Sequence, residues 1–484
     1  MTLPQDESPS PRDNRWWSLC VVALAILIVT TDAGQLSIAL PAIIAEFNAN
    51  LSLASWIALV YALVTASLYL PCGRLSDLFG SARLFTAGFL VHAASSLVAG
   101  FSQDGGQLIF LRTLQAVGSA LIMANNFAVL TSLFPPEERG RAMGIAGGTV
   151  AALGYTLGPV IGGLVTHALG WRANFYITAG LGFIGFTAAR FLLPRTPANL
   201  AKKEPEPFDI AGAVAFAVSV SLLLLGLTSA KKGTGASVLV SLELMGGLVS
   251  LGFFIWLERR SRFPLLDLTL FRIPAFSLGN IARAVSFISI SSNMLLMPFF
   301  VQLAMGLDPL RAGLLVAPTP LAIALLSPVA GRLSERLVPE WLGCLGLTIK
   351  GIAFVQLSFL TAGSSWLEVV MGLTLLGAGM GIFQTPNNNL LMTSVPQERL
   401  GVGSAFLSIV RSIGHSIGAA LATNIVSAQL LQATGRTSLQ DLQPGASDSI
   451  MLLAFLQGFR YAYLTAAVIC FAGAGVSAVR VSGK

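Results

Sequence analysis

The sequence predicts an all-α polytopic membrane protein of fourteen transmembrane helices, and three observations carry that prediction. The 484 residues are 54% hydrophobic and 11% charged, with a mean hydropathy of +0.77, which excludes a water-soluble globule of ordinary composition. Fourteen apolar runs have about the 18 to 25 residues needed to cross a hydrocarbon core. The pentapeptide Gly73-Arg74-Leu75-Ser76-Asp77 returns 258 residues later as Gly331-Arg332-Leu333-Ser334-Glu335, so the chain reads as two copies of one membrane module.

Residues 1–16 form a polar tail that leads straight into the first span, 17–40, so that span is expected to direct insertion without a cleavable leader. Spans 53–72 and 82–101 flank the connection that carries the first pentapeptide. Span 107–132 holds Arg112, Gln115, Asn125 and Asn126, and span 141–167 holds Gly154, Gly158 and Gly162 at every fourth position. Span 173–193 closes a first six-helix module, 17–193. A charged, proline-rich linker, 194–208, precedes spans 210–229 and 236–257, and a basic segment, 258–274, follows them. Spans 275–304, 312–330, 341–362, 366–393, 401–430 and 458–479 make a second module, 275–479, with a polar loop at 431–449 and a tail at 480–484.

The repeat settles how these spans group, because the pentapeptide follows the second span in one copy and the tenth in the other. Spans seven and eight, within 194–274, are therefore an insertion, giving a 6+2+6 order. Two further echoes agree: Gly154-Tyr155-Thr156-Leu157-Gly158 returns as Gly414-His415-Ser416-Ile417-Gly418, and Pro136-Glu137-Glu138-Arg139 returns as Pro396-Gln397-Glu398-Arg399.

The net charge of +7 would suggest nucleic acid in a soluble protein, but here its distribution reports orientation. Even-numbered connections and the tails are rich in Lys and Arg, such as Arg195, Lys202, Lys203, Arg259, Arg260 and Arg262. Odd-numbered connections hold Arg172, Lys231, Lys232, Arg311 and Arg436, so both termini are expected in the cytoplasm. No Walker sequence, dinucleotide glycine pattern or His/Cys cluster occurs, so no cofactor or metal is implied. Cys20, Cys72, Cys344 and Cys470 sit in or beside different spans and read as packing residues. No nucleophile, base and oxyanion set can be assembled, which argues against an enzyme.

At this point the residues resemble the major facilitator superfamily, and within it the fourteen-span drug:proton antiporters. The loop signature after the second span is matched by Gly73, Asp77, Gly80 and Arg83. The fourth-span signature is matched by Arg112, Gln115 and Gly118, with Ala116 in place of a glycine. The fifth-span antiporter signature is matched by Gly154, Gly158, Pro159, Gly162 and Gly163. Asp32 and Ala39-Leu40-Pro41 fit the first-span pattern, while Gly34, Gln35 and Ser37 depart from it, which weakens substrate inference from relatives. The resemblance implies a plasma-membrane exporter of a small amphipathic compound in exchange for protons, and the short loops and tails look like those of a bacterial inner-membrane protein. A uniporter or proton symporter for a metabolite, or a non-transporting receptor on the same fold, stands as the alternative.

Physical readings stand beside that resemblance. Asp32 is a mid-span carboxylate, costly in lipid, and is expected to carry the coupling proton with Arg112 as its partner, unless the two form only a structural ion pair. The span-five glycines, with Pro159 as a kink site, form a smooth face for a sliding gate seam or for ordinary packing. Asp77, with Arg74 or Arg83, reads as a cytoplasmic latch duplicated at Gly331 and Glu335, or as a plain charged turn. Arg283, Lys350 and Arg411 either snorkel and pair with carbonyls or face a cavity for an anionic substrate. Gln35, Gln115, Asn125, Asn126, Gln384, Asn387, Asn388 and His415 complete the candidate cavity, although amides also join helices and a lone His is commonly packed.

Overall fold

The computed structural model describes residues 15–47, 51–194, 207–231, 238–307, 309–434 and 449–482. Most of the first tail, of the 194–208 linker with Arg195, Lys202 and Lys203, and of the 431–449 loop with Arg436 lies outside the described residues, as does Lys232. Fourteen helices among the described residues are long and apolar enough to cross a membrane. They are α1 (Arg15–Phe47), α2 (Leu51–Phe79), α3 (Ser81–Ala99), α4 (Gly105–Leu133), α5 (Pro136–Leu169), α6 (Arg172–Leu192), α7 (Ile210–Lys231), α8 (Val238–Arg260), α9 (Pro274–Ala304), α10 (Arg311–Ser334), α11 (Pro339–Ser358), α12 (Trp366–Ser394), α13 (Leu400–Thr434) and α14 (Ser449–Ser482).

Several helices outrun their apolar spans, because backbone hydrogen bonding continues until a residue breaks it, whereas hydropathy marks only the lipid-buried part. The Gly73–Asp77 signature is therefore not a loop. It forms the last turns of α2, which ends where Gly80 takes a φ of 96°. Likewise Gly331 lies in the last turn of α10 and Glu335 caps it. Of the expected 431–449 loop, positions 431–434 are helical, positions 480–482 are helical, and α14 begins nine residues before the expected span, placing Met451 and Phe455 in the core.

The first six helices form one group, with α1 on α5 and α6, α2 on α4, and α3 on α4 and α6. The last six form a second, with α9 on α13 and α14, α11 on α12 and α14, and α10 on α12. Phe287, Phe300, Phe354, Phe459 and Tyr463 fill the core of the second group. The groups meet where α2 and α4 pack on α13, and where α5 packs on α10. Helices α7 and α8 pair with each other at the margin, and among the described residues it is mainly α7 that leans on α2 and α13. Ser67 of α2 and Ser221 of α7 join there at 2.9 Å. Leu242, Met245, Leu248 and Val249 of α8 point outward, as a lipid-facing helix requires.

Candidate functional site

Asp32 is brought into the middle of α1, 4% exposed, against α4. Arg112 donates to its Oδ2 at 2.6 Å and to Gln115 Oε1 at 2.5 Å, while Gln115 Nε2 donates to Asp32 Oδ1 at 3.1 Å and to Ser96 Oγ at 2.8 Å. The three-residue spacing of Arg112 and Gln115 puts both on one face of α4. Tyr61 stacks under the Arg112 guanidinium at 4.2 Å, and its hydroxyl meets Ser119 Oγ at 2.6 Å. A void of about 10 Å³, roughly one water in size, touches Asp32, Gln35 and Asn174.

His92 joins this network and was not singled out from sequence. Its Nδ1 lies 3.0 Å from Ser119 Oγ and 3.3 Å from the Gln115 carbonyl, and its buried Nε2 has no hydrogen-bond partner among the described residues. The signal was in the repeat, because His92 and Lys350 are 258 residues apart, the same offset as the two pentapeptides. Each module thus carries a basic group at the same buried place in its third helix. Lys350 Nζ donates to the Ser286 carbonyl at 2.8 Å and to Ser286 Oγ at 2.7 Å.

The glycine seam packs α5 on α1 beside Asp32. A Cβ at Gly158 would sit 2.8 Å from the Thr31 carbonyl, and one at Gly162 would sit 2.5 Å from Gln35 Cα. One at Gly154 would collide with Thr30, and Pro159 abuts Gly34. Gly163 is turned off this face, meeting only Ile38 at 3.5 Å. A second glycine face on the same helix went unread: Gly140, Gly144 and Gly148, also four apart, press on Gly331 and Ser327 of α10. The π-helical stretch Gly144–Val150 holds two of these glycines and precedes the Gly154 face, so one helix packs on α10 through its first turns and on α1 further along.

Asp77 and Glu335, the carboxylates of the repeated pentapeptide, occupy equivalent places across the two groups. Asp77 accepts from the Gly401 N–H at 2.6 Å and the Val402 N–H at 3.1 Å, capping the start of α13. Glu335 accepts from the Arg141 N–H at 2.9 Å near the start of α5. Gly73 packs on Gly401 and Gly331 on Gly140, so the repeated glycine admits the backbone that the repeated carboxylate holds. Arg83 is exposed and joins neither contact, while Arg74 is buried. Burial holds the Glu335 carboxyl above its ordinary range, outweighing the Arg141 N–H and the nearby Arg141 and Arg332 charges, and Glu138 adds to the rise.

Most of the candidate cavity amides make contacts between helices instead of lining open space. Asn126 accepts from Ser404 at 3.4 Å, Gln384 donates to the Gly147 carbonyl at 3.3 Å, and Asn387 donates to the Gly279 carbonyl at 3.2 Å. Asn125 bonds back to the Leu121 carbonyl at 2.7 Å. Arg283 is buried, donating to the Leu407 carbonyl at 2.9 Å and to Asn388 Oδ1. Arg411 and His415 remain half-exposed. Arg411 lies beside Met123 and the Tyr69 hydroxyl, and His415 lines a cleft of about 370 Å³ with Tyr155, Ser291 and Met294.

The Major Facilitator Superfamily model matches residues 22–419. The riboflavin transporter RibZ of Clostridioides difficile (strain 630) is 30% identical over 463 residues, 95% of this chain and 96% of its own. The multidrug resistance protein Stp of Mycobacterium tuberculosis (strain CDC 1551 / Oshkosh) is 30% identical over 414 residues, covering 85% of this chain and 76% of Stp. The crystal structure of the human organic anion transporter MFSD10 (TETRAN) superposes with a TM-score of 0.65 at 14% identity, over 97% of this chain and 100% of that one, a likeness of fold alone.

Proposed function

Because this chain belongs to the major facilitator superfamily, whose members are transporters and not enzymes, we propose that it exports a small amphipathic compound across the plasma membrane in exchange for protons. In this reading it is a fourteen-span drug:proton antiporter with six-helix modules at 17–193 and 275–479, an inserted pair between them, and both termini cytoplasmic. The basic ends at Arg259, Arg260 and Arg262 favour that orientation.

The observation that carries the proposal is the buried Asp32–Arg112–Gln115 network beside the α1–α5 seam. Both latches are engaged at one end, while the Tyr155–His415 cleft is open between the modules further along. In this reading the latched end is the cytoplasmic one, and the protein is closed there. A proton taken up by Asp32 removes the charge that holds Arg112 and loosens α1 from α4. The seam lets α1 and α5 shift without a leak, and the latches part. Return of the proton to the cytoplasm restores the pair. One proton moving down 100 mV supplies about 2.3 kcal/mol, enough for roughly a fiftyfold substrate gradient.

Arg411 and His415 place positive or titratable groups where the two modules face each other, and they favour a substrate that bears a negative charge or an aromatic ring. Similarity to a riboflavin transporter over nearly the whole chain favours a second reading, in which the substrate is a heteroaromatic metabolite. Cells lacking their own efflux pumps should accumulate less of a responsive fluorescent anion, cation or flavin when they express the wild type. Both a protonophore and Asp32→Asn should abolish that difference; export that survives both would refute proton coupling.

A further inference from the structure

The marginal helices α7 and α8 enclose, with α9 and α13, a crevice of about 820 Å³ whose lining includes neither the Asp32–Arg112 pair nor Arg411 and His415. Its walls are apolar, formed by Phe216 and Val220 of α7, Phe254 and Ile255 of α8, and Phe406 and Ile413 of α13. Its mouth is not. Arg259 at the end of α8 and Arg272 of the 3-10 turn Leu268–Arg272 both line it and are exposed. Neither makes an ion pair or hydrogen bond among the described residues, and the nearby Asp267 is taken up by the N–H and hydroxyl of Thr269 at 2.9 and 2.6 Å. Arg260 and Arg262, stacked on Trp256 and Phe263, add positive charge to the same end of the bundle.

The dimensions identify an occupant. Along α13 the lining runs from Phe406 to Ile417, about 16 Å at 1.5 Å per residue. That is half of a hydrocarbon core about 30 Å thick, the depth of one leaflet. An apolar slot one leaflet deep, with two guanidiniums at its rim that are unpaired among the described residues, matches a phospholipid whose chains lie inside and whose phosphate sits at the mouth. A zwitterionic headgroup would bring its own cation to the arginines, whereas an anionic one brings only complementary charge.

We propose that this crevice is a binding site for an anionic phospholipid of the bilayer, its phosphate held by Arg259 and Arg272. The bound chains fill the gap between α8 and the α9–α13 wall. Among the described residues α8 otherwise packs mainly on α7, so the lipid ties the inserted pair to the second group of helices. Neither the direction nor the substrate of transport enters this inference.

The test is native mass spectrometry of the full chain in detergent, titrated with phosphatidylglycerol or with phosphatidylcholine of the same chains. The wild type should retain phosphatidylglycerol preferentially. Arg259→Gln with Arg272→Gln should reduce that preference roughly 30-fold, each arginine counting about fivefold. The paired Lys substitutions should keep most of it, and Arg336→Gln, an exposed charge outside the crevice, should change nothing. Ile413→Trp, which fills the slot, should lower retention of both lipids. Equal retention of the two lipids by the wild type, or a preference that survives the double Gln substitution, would overturn the site and leave only annular lipid.

Discussion

Replacing Asp77 by Asn should unlatch one side of the closed end. The carboxylate bridges two backbone N–H groups at the start of α13, at 2.6 and 3.1 Å, and hydrogen bonds to a charged group contribute about 1.5 to 3 kcal/mol each. Asn keeps one carbonyl acceptor and loses both the charge and the second bond. Allowing for the partial exposure of Asp77, the net loss is about 2 kcal/mol, or roughly a 30-fold shift toward the open arrangement. Spin labels at Phe79 and Leu337, both exposed near this end on opposite modules, would report the shift as a longer distance component in lipid. Asp77→Glu should recover part of the short component. An unchanged distance distribution in Asp77→Asn would refute the latch and leave Asp77 a local helix cap.

The second latch should respond to pH in the opposite sense from a simple ion pair. A carboxyl whose pKa is raised on burial favours closure when protonated, so this contribution is full below its ordinary 4.5 and is lost as pH rises through the raised value. Glu335→Gln should therefore hold the labels close across that window, and a Gln variant that opens with rising pH as the wild type does would contradict the sign. Gly158→Leu forces a side chain against the Thr31 carbonyl, 2.8 Å from its Cβ. It should cost about 1 to 3 kcal/mol in thermal unfolding and stop transport; normal transport would make the seam mere packing. His92→Phe removes its contacts to Ser119 and Gln115, each worth about 1 kcal/mol. Proton-coupled transport should slow about tenfold or more, and an unaltered rate and pH profile would assign His92 to packing.

What was legible in the sequence follows the range of the interactions. Fourteen helices were readable because lipid demands long apolar runs, and the superfamily because its glycines and charges recur in short motifs. The repeat of Gly73–Asp77 at Gly331–Glu335 was plain, but its partners were not: Gly401 and Val402 lie 324 and 325 residues from Asp77 and offer only backbone N–H groups. Gly140, Gly144 and Gly148 do carry a readable four-residue period. Their partners Ser327 and Gly331 lie on α10, and the π-helical stretch Gly144–Val150 breaks the four-residue register before Gly154, so the two glycine runs do not read as one face. Asn126, Gln384 and Asn387 could not be assigned from residue type, since an amide that lines a cavity and one that joins two helices look alike until the neighbouring carbonyl is known.

Proton transfer through Asp32 is what couples transport in the mechanism proposed above. The most direct measurement is substrate-induced proton flux across proteoliposomes, read with an internal pH dye, for the wild type and Asp32→Asn at matched reconstitution. Protons should move opposite to substrate in the wild type and not at all with Asp32→Asn, even where that variant still binds or exchanges substrate. Equal flux through both proteins, or protons moving with the substrate, would contradict it.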